Sequence, residues 1–320
     1  MEVEALKQQL AAALKGLALF LFLFFLFLSV VEIISRVGFA AGVFRRDYSK
    51  VGEKLIRLGS VGASGGQFRD PFSVVSNSRR EIIVADRENN RIQVFDRNGK
   101  LLFKFGSQAG PGNGQFNRPC GVTVDQRNNQ IVVSDTSNHR IQIFDEKGSF
   151  LRTFGSEGKD GGQLNRPEGL VVDQQGNYVV ADYGNHRIQI FNSQGQFVRK
   201  FGSEGEGNGQ LKSPRGVGLL SNGNVVVSEQ SGNRLQIFDS QGNFVRLVGV
   251  GHVNSPNHIF VDSDDYILVA DFTNNRILVF HPNGNHKAIV TGQVSLPHGI
   301  CLDRQGRIIV SEGRGHISIF

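Results

Sequence analysis

Six prolines, Pro71, Pro119, Pro167, Pro214, Pro256 and Pro297, recur at intervals of 48, 48, 47, 42 and 41 residues, and the same signals follow each of them. A short apolar run comes first, then a polar turn, then a β-branched run of the IIVAD type, then NNRIQVF or a variant of it. A period of this length belongs to stacked supersecondary units, each too small to bury its own apolar face. Function is therefore to be sought on a surface that several units build together.

Each unit reads as strands. IIVAD, QIVVSD, NYVVAD, NVVVSE, YILVAD and RIIVSE are rich in β-branched residues and bounded by Gly, Asn or Asp. Turn phrases such as DRNGK, DEKGS, NSQGQ, DSQGN and HPNGN supply the positive φ that hairpins need. One strand after each proline, one of the IVVAD type, one of the RIQVF type and one of the LLFKFGS type make a four-stranded propeller blade. The chain stops at HISIF, the third strand of the sixth unit, while LIRLGS at 55–60 is an orphan fourth strand before the first proline. Pairing of these two segments closes a ring and removes both sheet edges. The fold class expected is all-β, a six-bladed propeller closed by an N-terminal strand over 54–320, with repeats starting near 67, 115, 163, 210, 252 and 293.

Residues 16–31 read GLALFLFLFFLFLSVV, without a charge, and Ile33 and Ile34 extend the run past Glu32. At ~1.5 Å per residue such a helix reaches roughly 28 Å, close to the hydrocarbon thickness of a bilayer. The expectation is a short N-terminal helix or tail over 1–15, one transmembrane helix over 16–36 and a linker over 37–53. Lys7 and Lys15 precede the run, whereas Arg36, Arg45, Arg46 and Lys50 follow it. That excess places the propeller of a single-pass membrane protein on the cytoplasmic side; without the span it is cytoplasmic.

Cys120 and Cys301 are the two cysteines, too few for a disulfide framework or a zinc module. The formal charge of +6 permits a polyanion partner without requiring one. No cofactor, no metal site and no DNA partner are expected.

The pattern GQF-xx-P-x-GV-x-VD, IIVAD-xx-NNRIQVF and G-x-F-xx-FGS resembles the NHL repeat, and six in succession resemble the NHL β-propeller of tripartite-motif (TRIM-NHL) proteins. The resemblance covers 47–320. It implies a six-bladed recognition module, for RNA in several members and for protein partners in others. The RING, B-box and coiled-coil modules that usually accompany it have no counterpart in this sequence.

Asp86 with Arg91, Asp135 with Arg140, Asp182 with Arg187, Asp271 with Arg276, and Glu229 with Arg234 repeat one spacing. Five equivalent copies point to turns and interblade charge pairing rather than to an asymmetric catalytic constellation. In the sixth unit His316 stands in the place of the arginine, which leaves that unit without the usual pair and Arg314 turned outward. Better site candidates vary while the frame stays fixed. Around the repeat prolines stand Phe72, Arg118 with Cys120, Arg166 with Glu168, Lys212 with Arg215, Asn257 with His258, and His298; after the IVVAD strands stand Arg87, Thr136, Tyr183, Gln230, Phe272 and Arg314. The resemblance implies that these two turns line one face of the disc. The face named as ligand-binding comprises Arg87, Arg118, Arg166, Tyr183, Lys212, Arg215, His258, Phe272, His298 and Arg314. Interleaved bases and aromatics suit single-stranded RNA, with cations on phosphates and rings stacked on bases. The expected function is a non-catalytic scaffold binding RNA. The alternatives are a protein-interaction module at a membrane surface, recruiting a partner or a substrate for ubiquitin ligation, and, third, a metal-dependent lyase.

Overall fold

The computed structural model describes Tyr48 and residues 56–106, 108–281, 283–290 and 294–320, all within the unit Tyr48–Phe320. The expected tail, the expected transmembrane helix and all of the expected linker except Tyr48 lie outside the described residues. Among the described residues no helix is long and apolar enough to cross a membrane.

The described strands form six antiparallel four-stranded sheets. Blade 1 contains Pro71–Ser76, Ile82–Asp86, Arg91–Phe95 and Leu101–Gly106, in that order from the inside outward. Blades 2 to 5 repeat the order, with inner strands Pro119–Asp125, Pro167–Val172, Pro214–Leu219 and Pro256–Val261. Blade 6 takes three strands from the C-terminal repeat, Pro297–Leu302, Ile308–Glu312 and His316–Ile319, and its outer strand is the first described strand, Ile56–Leu58. The register is Ile56 with Ile319, Arg57 with Ser318 and Leu58 with Ile317, so the ring closes as the sequence expects.

Burial follows position. But for half-buried Gln130 in blade 2, the second strands are buried along their whole length because neighbouring blades cover both faces, whereas the fourth strand of blade 2 alternates between half-buried and exposed. The core is accordingly a series of interblade clusters, such as Ile83, Ile92, Val94, Phe116, Val133 and Phe144 between blades 1 and 2. Tyr48 belongs to this core: it packs with Tyr266, Leu268, Ile308 and Phe320 between blades 5 and 6.

Each repeat proline opens an inner strand, where its missing N–H costs no ladder bond. The residue before it is left-handed in every blade: Asp70, Arg118, Arg166, Ser213, Ser255 and Leu296 have φ between 50° and 56°. Five of these strained residues are tied to the preceding blade. Their N–H groups donate to Asn90 Oδ1, His139 Nδ1, His186 Nδ1, Asn233 Oδ1 and Asn275 Oδ1 at 2.7–3.2 Å. The second residue of each NNR, NHR or GNR phrase is thus a latch between blades. At the sixth junction that place is taken by Gly315.

Candidate functional site

At one end of the ring axis the side chains that follow the six prolines meet: Phe72, Cys120, Glu168, Arg215, Asn257 and His298. All but Arg215 are buried, and they interlock. Arg215 Nε lies 2.8 Å from Glu168 Oε2 without the alignment of a hydrogen bond, and Arg215 Nη1 donates to Asn257 Oδ1 at 2.8 Å. The Asn257 amide nitrogen must then donate, and its contact at 2.8 Å makes His298 Nδ1 the acceptor. His298 Nε2 carries the proton and faces Asp70 Oδ1 at 3.0 Å; Asp70 in turn pairs with Arg87. Arg87 stands 4.5 Å from the Phe72 ring centroid, and Arg215 reaches across from blade 4 to within 5.2 Å of the same centroid and 5.4 Å of that of Tyr183. His298 stacks on Phe72 at 4.6 Å. The mouth of the axial channel is therefore plugged by an interlocked polar network wrapped around Phe72, in which Arg87 Nε, Arg215 Nε and Glu168 Oε2 are left without a hydrogen bond.

The electrostatics follow from that burial. Burial pushes the Glu168 carboxyl up, with Arg215 the principal opposing charge. Burial also raises the Asp70 carboxyl, but the His298 hydrogen bond and the Arg87 charge outweigh it and hold Asp70 below its ordinary range. The Cys120 thiol is pushed up to about 11 by burial and then by Glu168, so it is no nucleophile at neutral pH. His258, one residue beyond the mouth ring, is lowered to about 3 by burial, with Arg215 and His298 adding to the effect. Its Nε2 has no hydrogen-bond partner, and the ring lines an axial cavity of about 100 Å³.

The other expected site residues surround the mouth. Arg118 is exposed and pairs with Glu88 at 2.8 Å, and Lys212 pairs with Glu206 at 2.5 Å. Arg166 is exposed, with its guanidinium 5.6 Å from the Tyr183 ring centroid. Phe272 lies 5.0 Å from the His298 ring, and Thr136 Oγ1 donates to the Pro167 carbonyl at 2.6 Å. Arg314 is exposed, but it is displaced by one position: Gly313 takes the place that Arg87, Thr136, Tyr183, Gln230 and Phe272 hold in the other blades. The structure thus brings the two turns of each blade together. It also shows that Arg87, Arg118, Lys212 and Arg215 already face carboxylates, which leaves Arg166 and Arg314 as the Lys or Arg residues of the expected face without an ion pair among the described residues.

The repeated acid–arginine pairs are buried at the acid and lie within one blade, not between blades. Asp86–Arg91, Asp182–Arg187 and Asp271–Arg276 are at 2.7 Å, and Asp135–Arg140 and Glu229–Arg234 at 2.8 Å. Arg91 also donates to the carbonyls of Ala63, Ser64 and Gln67, which pins the loop entering its blade. Blade 6 corrects a second expectation: His316 replaces the arginine functionally, with Nε2 3.1 Å from Glu312 Oε2. No group of three or more His, Cys, Asp or Glu that could hold a metal exists among the described residues.

One device escaped the reading of the sequence. The residue before the acid alternates strictly: Ala85, Ser134, Ala181, Ser228, Ala270, Ser311. Each serine hydroxyl accepts from a glycine N–H of its own blade (Gly121, Gly216 or Gly299) at 2.6–2.8 Å and donates to the mouth-ring carbonyl of the next blade (Glu168, Asn257 or Phe72) at 2.5–2.9 Å. A Cβ at Gly121 would stand 2.2 Å from the Glu168 carbonyl oxygen, so the close approach requires glycine. The signal lay in the alternating VAD, VSD and VSE of the repeats.

The NHL repeat model matches residues 68–95, 116–144 and 164–191, the first three strands of each of blades 1 to 3. Among curated proteins, the chain is 41% identical to the protein brain tumor of Drosophila melanogaster over 68 residues, 21% of this chain and 6% of that protein. It is 38% identical to the protein lin-41 of Caenorhabditis elegans over 61 residues, 18% of this chain and 5% of that one. It is 47% identical to the E3 ubiquitin-protein ligase TRIM32 of Mus musculus over 47 residues, 15% of this chain and 7% of that one. The aligned stretches thus span a small fraction of these relatives' length. Among solved structures, a catalytically inactive virginiamycin B lyase from Staphylococcus aureus with quinupristin superposes with a TM-score of 0.59 at 16% identity, covering 78% of this chain and 80% of that one. A streptogramin B lyase gives 0.58 at 14%, covering 84% and 99%. At such identities these two report the fold alone. The repeat matches and the six closed blades together make this chain a six-bladed NHL-repeat β-propeller, similar over short stretches to brain tumor, lin-41 and TRIM32.

Proposed function

We propose that the propeller is a non-catalytic scaffold that recognises a protein partner with its mouth face. The observation that carries this reading is the charge pairing there. Four of the cations expected to meet phosphates already face Asp70, Glu88, Glu168 or Glu206. What remains outward is mixed: half-buried Tyr183 and Phe272, exposed Arg118 with its carboxylate, and the unpaired Arg166 and Arg314. Rings with a polar rim are the usual anchors of a protein interface.

Single-stranded RNA is the second reading, favoured by the stacking of Arg166 over Tyr183. The two differ in salt dependence. Two unpaired guanidiniums release few counterions, so any RNA binding by this face should vary with salt with a log–log slope of only about −1.4. The test is twofold: titration of a random single-stranded RNA pool from low to high salt, and photo-crosslinking of partners from a residue placed at Arg314. The protein reading expects weak, shallow RNA binding and a salt-resistant protein adduct that Tyr183→Ser with Phe272→Ser abolishes. A steep RNA slope removed by Arg166→Glu transfers the function to RNA.

A further inference from the structure

The opposite end of the ring carries the turns between first and second strands and between third and fourth strands. There the grooves between blades are bridged by side chains. Arg79 of blade 1 pairs with Glu146 of blade 2 at 2.5 Å. Arg127 of blade 2 donates to the Gln175 carbonyl of blade 3 at 2.7 Å, and Arg152 of blade 2 donates at 2.8 Å both to the Tyr178 hydroxyl and to the Ser193 carbonyl of blade 3. Ser221 of blade 4 is held twice by Asp265 of blade 5, at 2.7 and 2.6 Å. Arg307 of blade 6 donates to the Arg97 carbonyl of blade 1 at 3.3 Å. Between blades 5 and 6 the filler is Tyr48, delivered from outside the repeats, with its hydroxyl 2.5 Å from Asp262 Oδ2 and its ring 5.6 Å from that of Tyr266.

The groove between blades 3 and 4 is different. It is an open cavity of about 800 Å³ that extends toward blade 5, floored by Val179, Ile190, Leu219 and Val225 and rimmed by Asp173 and Arg199. Two residues distinguish it from the groove between blades 2 and 3. Val225 stands where blade 3 has Tyr178, each opposite the last phenylalanine of its third strand. Gln175 stands where blade 2 has Arg127. Arg199 is the counterpart of Arg152, each opposite the isoleucine of its third strand. It keeps the carbonyl partner, Ser240, but the phenol that Arg152 finds one blade earlier is missing.

We propose that this groove binds a partner polypeptide through a tyrosine side chain, whose ring takes the place that Tyr178 fills between blades 2 and 3 and whose phenol oxygen accepts from Arg199. Two grooves of this end already hold a phenol, one of them supplied by a segment outside the repeats. The apolar floor suits the ring, the guanidinium suits the oxygen, and the volume is in the range that takes a side chain with its flanking backbone. No tyrosine of the chain is left to fill the groove. Of its four tyrosines, Tyr48, Tyr178 and Tyr266 are buried elsewhere and Tyr183 is at the mouth. A second copy of the propeller offers the same four, so the occupant is a different protein.

The test uses the full chain and two probes, N-acetyl-tyrosine amide and the pentapeptide Gly-Gly-Tyr-Gly-Gly, in calorimetry or ligand-detected NMR. Saturable binding of both is expected. Replacing the phenol by phenyl and the change Arg199→Leu should each weaken binding about tenfold, the value of one hydrogen bond to a charged donor. Val225→Tyr, which fills the groove from within, should abolish binding and raise the melting temperature. Absence of saturable binding, equal affinity for the phenylalanine analogue, or binding that survives Val225→Tyr overturns the proposal. Binding of the amide without the pentapeptide would make this a small-phenol site and overturns it as well. If Val225→Tyr does not fold, Arg199→Leu and the phenylalanine analogue decide.

Discussion

His258 shows how one side chain couples the mouth to solvent pH. Its ring is buried beside Phe72, and its imidazole is lowered from near 6.5 to about 3, because burial and then the Arg215 and His298 charges oppose the cation. The folded-state value lies below the unfolded one. The unfolded chain therefore takes up a proton as the pH falls through 6.5, and the folded protein refuses it until about pH 3. Stability is complete above 6.5 and is lost on the acid side at up to about 1.4 kcal/mol per pH unit. Chemical denaturation of wild type and His258→Leu between pH 7 and 4 should give curves that diverge by that slope, with the variant the flatter. Parallel curves would mean that the imidazole is hydrated or protonated in the folded state. At this scale the sequence was least informative. It singled out His258, His298, Arg87 and Arg215 as outward-facing, yet the burial of the two histidines and the half-burial of the two arginines depend on the narrowness of the six-bladed mouth, which lets Arg215 touch Phe72 from the opposite blade. Arg314 was placed in the turn position that Gly313 holds, because the glycines on either side of it obscured the register.

At the scale of strands the repeats were far more legible, since proline, glycine and the buried acid each constrain backbone in a way that recurs. What the pattern did not disclose was why alternate blades carry serine. Ser134, Ser228 and Ser311 join blade 2 to 3, 4 to 5 and 6 to 1, giving the ring a threefold arrangement of stronger seams that depends on contacts from the neighbouring repeat. Ser228→Ala would leave the Gly216 N–H and the Asn257 carbonyl without this partner in a dry interface, at a cost of about 1–3 kcal/mol. For a domain of this size that is a fall in melting temperature of roughly 2–4 °C per kcal/mol. The double variant Ser134→Ala with Ser228→Ala should lose the sum of the single effects to within about 0.5 kcal/mol, because the two seams share no partner. A Ser228→Ala protein melting with the wild type would show that water replaces the hydroxyl there.

The whole molecule has one junction unlike the others. Between blades 1 to 6 in sequence order, each turn of the ring adds a hairpin-linked blade whose contacts are local, and an Asn or His latch ties it to the blade before. The junction of blade 6 with blade 1 has Gly315 at the latch position, and a Cβ there would stand 2.8 Å from Val61 Cγ2, so no side-chain latch can be accommodated. Besides the Ser311 seam to Phe72, the His298–Asp70 pair and the Arg307 bond to the Arg97 carbonyl, what holds this junction is the outer strand Ile56–Leu58, three residues paired with His316–Ile319, together with Leu58 and Ile317 in the cluster that includes Phe68 and Ile309. It joins segments more than 250 positions apart, so its closure entropy is the largest in the fold, and its ladder is the shortest. The ring should therefore open here first. In native-state hydrogen exchange, the amides of 56–58 and 316–319 should exchange through a lower-energy opening than those of the buried second strands of blades 2 to 4, and Leu58→Asp should speed that opening while leaving those strands protected until the ring unfolds. If instead the junction exchanges only with the second strands, the clasp is as strong as the blades it joins, and opening is a global event.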